Sequence, residues 1–190
     1  MKIKNTFIRY IKLILRPLIY VIYFLSGFFP RDNKIWVFGS TGGRRFADNA
    51  KWFFYYCNWT KMNEKDHPYQ YIWITRSKDI IDSLKQQGFK AYYLYSPKGI
   101  YYSLRAGIYI FDLDIWDINF PFSRKAIKIN LWHGSTLKKI ARDVAKVDDK
   151  NIFQKMRIYN RNPIAFHKYD MMISSSKYVR KIFLSAFNVK

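Results

Sequence analysis

Cysteine is almost absent: Cys57 is the only one in 190 residues. An intramolecular disulfide and a Cys-rich metal site are thereby excluded, which suits a reducing cytoplasm. Cys57 is expected simply to fill core. Acidic residues are also scarce, with 13 Asp and Glu against 34 Lys and Arg and a formal net charge of +21. That imbalance implies a polyanionic surface or substrate, and nucleic acid, anionic lipid and a phosphate-rich polymer all qualify. The charge comes without a helix-turn-helix, zinc or RNA-binding signature, which argues against nucleic acid. Neither G-x-G-x-x-G nor a Gly-Lys-Ser/Thr phosphate loop occurs, so the ordinary nucleotide-binding fingerprints are missing. Low-complexity tracts and internal repeats are lacking too. What the chain does have is apolar and aromatic matter, 49% and 20% of its residues, enough for a sizeable core. One globular domain with an appendage is the expectation.

The appendage is residues 1–30. Its sequence FIRYIKLILRPLIYVIYFLSGFF is apolar but interrupted by cations. The unbroken apolar stretch, Leu18 to Phe29, lies between Pro17 and Pro30 and is shorter than the roughly 20 residues a spanning helix needs. An amphipathic helix lying in the membrane interface is therefore expected, with Lys2, Lys4, Arg9, Lys12 and Arg16 at anionic headgroups. The cations favour the cytoplasmic face of the membrane. A true span, a cleaved signal peptide and an internal helix are the alternatives, although Gly27-Phe28-Phe29-Pro30 does not resemble a small-residue cleavage site.

After the polar break Pro30-Arg31-Asp32-Asn33, residues 31–190 alternate short strands with helices. Strands are expected at Lys34 to Phe38, Tyr71 to Thr75, Ala91 to Tyr95, Gly107 to Phe111, Ala126 to Trp132 and Asp170 to Ser174. Asp48 can cap a helix whose Trp52, Tyr55, Tyr56 and Trp59 would pack one aromatic face on the sheet. A second helix runs from Ser77 to Gln87 and stops at Gly88, and a third opens at Ser175 with Tyr178, Ile182 and Ala186 in register and Val179 and Phe183 beside them. This alternation predicts an α/β, Rossmann-like parallel sheet with right-handed crossovers. The abrupt ending after a helix suggests a truncated or split protein.

Three segments could carry chemistry. The loop Gly39-Ser40-Thr41-Gly42-Gly43-Arg44-Arg45 follows a strand and precedes a helix, so it serves either as a turn or as a phosphate cradle of backbone N–H groups and guanidinium forks. Asp112 and Asp114 share one face of an extended strand in the Asp-x-Asp pattern of a metal site. The segment Asn130-Leu131-Trp132-His133-Gly134-Ser135 delivers His133 to the carboxyl end of a strand, the edge where open α/β sheets bind ligands. His133 could accept a hydroxyl proton near neutral pH, and a basic helix starting after Gly134 and Ser135, with Lys138 and Lys139, could support a phosphate. A structural histidine is the alternative. His67 and His167 lie beside Pro68 and Lys168 in loop-like surroundings and are not expected to be catalytic.

LWHGSTLKKIARD resembles the Trp-His-Gly-Thr-Pro-Leu-Lys-Lys signature of the CDP-glycerol glycerophosphotransferases, the primases and polymerases of teichoic acid synthesis. Phe38-Gly39-Ser40 with Gly43 and Asp48-Asn49, Tyr101 to Ala106, and Ile173 to Ser176 with Ala186-Phe187 are similar to further family segments. The resemblance runs from Lys34 to the end. It implies the N-terminal, acceptor-side domain of a GT-B-type transferase, His133 as the base that activates an acceptor hydroxyl, and release of CMP. Gly42, Gly43, Arg44, Asp48, Asn49, Trp132, Gly134, Ser135, Lys138 and Lys139 become candidates for holding acceptor or phosphate. CDP-glycerol is implied as donor, with no cofactor and no metal. The implied partners are an anionic membrane, a lipid-linked polyol-phosphate acceptor, and a donor-binding C-terminal half or a second copy. Ser135-Thr136 departs from the family's Thr-Pro, and the donor half is missing after Lys190. A non-catalytic membrane- and polyanion-binding module is the competing expectation.

Overall fold

The computed structural model describes residues 17–64, 67–134, 136, 138–145, 151, 154 and 168–187. Ser135, His167 and the cations before residue 17 lie outside this set. The strands are β1 (Asp32–Gly39), β2 (Gln70–Thr75), β3 (Lys90–Tyr93), β4 (Ala106–Phe111), β5 (Ile127–Asn130) and β6 (Met171–Met172). They form one sheet in the order β3-β2-β1-β4-β5-β6, parallel throughout. The order reverses direction between β1 and β4, which opens a crevice at their carboxyl ends, the usual ligand edge of this architecture. Each expected strand is present: β1, β2 and β4 extend a residue or two beyond the expected bounds, β3 is shifted toward its start, and β5 and β6 are shorter.

Both sheet faces are covered, as the near-continuous apolar strands require. Residues 17–26 form α1. The others are α2 (Asp48–Asn63), α3 (Lys78–Gln86), α4 (Pro97–Arg105), α5 (Ala141–Ala145) and α6 (Lys177–Phe187). One core half gathers Phe38, Phe54, Trp73, Ile81, Leu84 and Ile110 under α2 and α3. The other gathers Val37, Ile74, Tyr109, Phe111, Val179 and Phe183 under α4 and α6.

Four helices depart from the sequence expectation. In α2 the buried face is Ala50, Phe54, Cys57 and Asn58, while Trp52, Tyr56 and Trp59 are 64%, 60% and 63% exposed. Aromatic residues surround this helix, so the spacing of Trp52 with Trp59 did not identify its inner side; Phe54 does, through edge contacts with Phe38 at 5.3 Å and Trp73 at 5.5 Å. In α6 the buried residues are Val179, Phe183, Ala186 and Phe187, and Tyr178 points outward. Among the described residues, the chain after Gly134 is not helical until Ala141, so Lys138 and Lys139 precede α5 rather than sit in it. The helix α4 was not anticipated, although Ser96 caps it by accepting the Gly99 N–H and Pro97 opens it.

The appendage is seated on the domain. Ile19, Tyr23 and Ser26 turn inward from α1, with the Tyr23 ring stacked on Phe120 at 4.8 Å. Arg31 fastens this end: its two terminal nitrogens donate to the carbonyls of Ser26, Ser103, Ala106, Phe122 and Arg124 at 2.6–3.4 Å. Leu18, Val21, Leu25 and Phe28 remain exposed on the outer side of this segment. Among the described residues no helix is long and apolar enough to cross a membrane.

Candidate active site at the carboxyl edge of the sheet

The turn after β5 is held from two sides by asparagines. Asn130, the last residue of β5, accepts the Trp132 N–H at 2.8 Å through its side-chain oxygen. From the start of α2, Asn49 donates its amide to the carbonyls of Trp132 at 2.7 Å and Leu131 at 3.2 Å. Between these clamps Trp132 adopts φ 58°, a left-handed conformation that costs an ordinary side chain about 1–2 kcal/mol. Gly134 follows at φ 150°, with open space where a Cβ would sit. A strained, doubly clamped turn next to a histidine is the geometry expected where position matters more than stability.

The Trp132 indole anchors the turn to α6, with edge contacts to Phe183 at 5.0 Å and Phe187 at 5.6 Å. The His133 imidazole stacks on that indole, centroids 4.6 Å apart and planes 22° from parallel. His133 is exposed, and stacking on Trp132 orients its ring. Trp132 thus acts from beneath as a platform. Gly134 lies in the same turn, and Thr136 just beyond it is buried with its hydroxyl unpartnered.

The loop after β1 meets β4's end through carboxylates. Asp117 takes the Gly42 N–H at 2.6 Å with one oxygen and the Leu113 and Asp114 N–H groups at 2.8 and 3.3 Å with the other. The Gly43 N–H donates to the Ser40 carbonyl at 2.9 Å. Both glycine N–H groups are therefore engaged within the chain here, and Arg44 and Arg45 present the loop's exposed charges. Gly39 has to be glycine, since a Cβ would lie 2.5 Å from the Asp117 carbonyl oxygen.

Asp48 does not cap α2. It is itself the first helical residue, at φ 57°, and the N-cap Ala47 offers no side-chain bond. The orphan N–H of Ala50 is instead taken at 2.8 Å by Asp112, across from the end of β4. Asp112 is buried and its second oxygen has no partner. Burial pushes its carboxyl up to about 7, with the Ser40 hydroxyl and the Ala50 N–H opposing the rise. Asp114 belongs to a different set: it accepts the Ile115 N–H at 2.7 Å and the Tyr169 hydroxyl at 3.1 Å. The two aspartates of the Asp-x-Asp pattern thus hold separate parts of the fold. His67, the other described histidine, contacts Tyr71 and Glu64 and lies away from the histidine turn.

The structure thus joins His133, Trp132, Gly134 and Asn49 directly, and Asp112 enters behind them by fixing the helix that carries Asn49. The chain matches the family CDP-Glycerol:Poly(glycerophosphate) glycerophosphotransferase over residues 21–190. It belongs to that family. A teichoic acid poly(glycerol phosphate) polymerase of Bacillus spizizenii is 31% identical over 90% of this chain and 42% of its own length. One of Staphylococcus epidermidis is 27% identical over 81% of this chain and 20% of its own length. The chain therefore spans less than half the length of these relatives. Among solved structures, the wall teichoic acid polymerase TagF superposes over 99% of this chain and 45% of its own with a TM-score of 0.57 at 22% identity. A form of TagF soaked with CDPG gives 0.57 at 22% identity and 45% coverage. The fold of this glycerophosphotransferase family member is thus that of a GT-B-type transferase domain.

Proposed function

We propose that this chain supplies the acceptor-activating part of a glycerophosphotransferase that moves glycerol phosphate from CDP-glycerol to a membrane-linked polyol-phosphate acceptor. The observation that carries the reading is the His133 turn, held in a left-handed conformation by Asn49 and Asn130 at the ligand edge of the sheet. His133 takes the proton of an acceptor hydroxyl. The resulting oxygen forms a bond to the glycerol-bearing phosphorus as the bond from that phosphorus to the CMP oxygen breaks, and CMP leaves with the electron pair. Such chemistry needs alignment and charge neutralisation more than covalent help, and a preorganised turn in a cationic chain suits it. The donor is held by the remaining part of the fold that the longer relatives carry, or by another copy.

The exposed apolar row Leu18, Val21, Leu25 and Phe28 supports peripheral attachment to the cytoplasmic face of the cell membrane, with the basic residues of the chain at anionic headgroups. That same row favours a second reading, a membrane- and polyanion-binding module without turnover. Incubation with CDP-glycerol, membrane-bound polyol phosphate and the complementing C-terminal half separates them. CMP release in step with acceptor elongation is expected, and binding without release supports the module.

A further inference from the structure

A cleft of about 500 Å³ opens between the segment that leaves the His133 turn and the outer face of α6. Lys138, Lys139 and Asp143 line one wall, and Tyr178, Lys181, Ile182 and Ser185 line the other. The last four recur at i, i+3, i+4 and i+7, so they are one face of α6, opposite the Val179, Phe183 and Ala186 face buried in the core. This explains why Tyr178 is 70% exposed on a helix otherwise packed by its aromatic residues.

Three ammonium groups converge here against one carboxylate. Asp143 already accepts the Ser185 hydroxyl at 2.6 Å, which ties the two walls together. Among the described residues none of the three lysines is in an ion pair. Like charges held together in a concave site raise the local concentration of anions, and lysine acts as a mobile point charge toward phosphate oxygens. The volume lies in the range of small-molecule sites, roughly 300–1,000 Å³. Ile182 offers an apolar floor for carbon between phosphates, and the Tyr178 hydroxyl can donate. Lys138 lies five residues after His133, so the cleft begins within about 18 Å of the histidine along the chain.

We propose that this cleft is a subsite for phosphodiester groups of an anionic polyol chain, gripped by Lys138, Lys139 and Lys181 while the chain's terminal hydroxyl reaches His133. The proposal rests on the transferase reading for that last clause, whereas anion binding itself does not require turnover. Lipid headgroups share the chemistry, and the test separates them. The full chain is titrated with the soluble diester glycerophosphoglycerol, followed by the ring resonances of Tyr178, and separately with phosphatidylglycerol vesicles. Saturable diester binding is expected, weakened at least ten-fold in Lys181→Glu and several-fold in Lys181→Gln, which guards against misfolding. Lys78→Glu, on α3, should leave it unchanged. Equal weakening by Lys78→Glu, or no change in Lys181→Glu, would overturn the subsite. Loss confined to the vesicle arm would overturn it in favour of headgroups. Absent CMP release with Lys181-dependent diester binding intact counts against the transferase reading alone and leaves the subsite standing.

Discussion

Asp112 and Asn49 show how much of the site depends on side chains that hold the backbone behind His133. Asp112 secures the first turn of α2, and Asn49 on that turn secures the carbonyls before His133. Because burial raises the Asp112 carboxyl to about 7, the folded protein holds this proton more tightly than the unfolded chain does. Its ionisation therefore lowers stability as pH rises from about 4 to about 7, and no further change is expected above that. Asp117 is pushed up by burial as well and acts with the same sign. Asp112→Asn keeps an acceptor for Ala50 and removes the charge; denaturation at pH 8 should show a gain of about 2 kcal/mol, shrinking toward pH 4. Equal slopes for both proteins would contradict the assignment. Asn49→Ala should cost about 1–2 kcal/mol by the same measurement, with Trp132 fluorescence altered because its strained turn loses a clamp.

At the scale of elements, the strands were legible because each is a short run of β-branched and aromatic residues bounded by polar or glycine breaks. Helix faces were less so. Phe53, Phe54, Tyr55 and Tyr56 put rings on every side of α2, and only the packing of Phe54 against Phe38 and Trp73 decides the inner one. Phe54→Ala should accordingly destabilise by about 3–4 kcal/mol, whereas Trp59→Ser should change stability by under about 0.5 kcal/mol. Comparable losses would restore the aromatic stripe to the core. The Ser96-Pro97 start of α4 is a readable helix signal, a capping hydroxyl followed by proline. The role of Asp112 was not readable at all, since its partner Ala50 lies 62 positions away and no local pattern links them. His133 was legible by its place at a strand end, but the left-handed Trp132 and its two asparagines emerge only when β5, α2 and α6 meet.

Over the whole molecule, a net charge of +21 accompanies the exposed apolar row on α1. Binding to phosphatidylglycerol vesicles should fall steeply with added salt and should be lost on deleting residues 1–29; retention after deletion would remove the anchor. The carboxyl edge of the sheet is where the chain brings its strained turn and its histidine together, with the lysine-lined cleft following in the chain. The decisive measurement is CMP release from CDP-glycerol by the complemented, membrane-bound protein with and without His133→Ala. A fall of at least about 100-fold, with the circular dichroism and thermal midpoint of the variant unchanged, is the predicted result. Turnover equal to that of the parent in a folded His133→Ala protein would contradict the account.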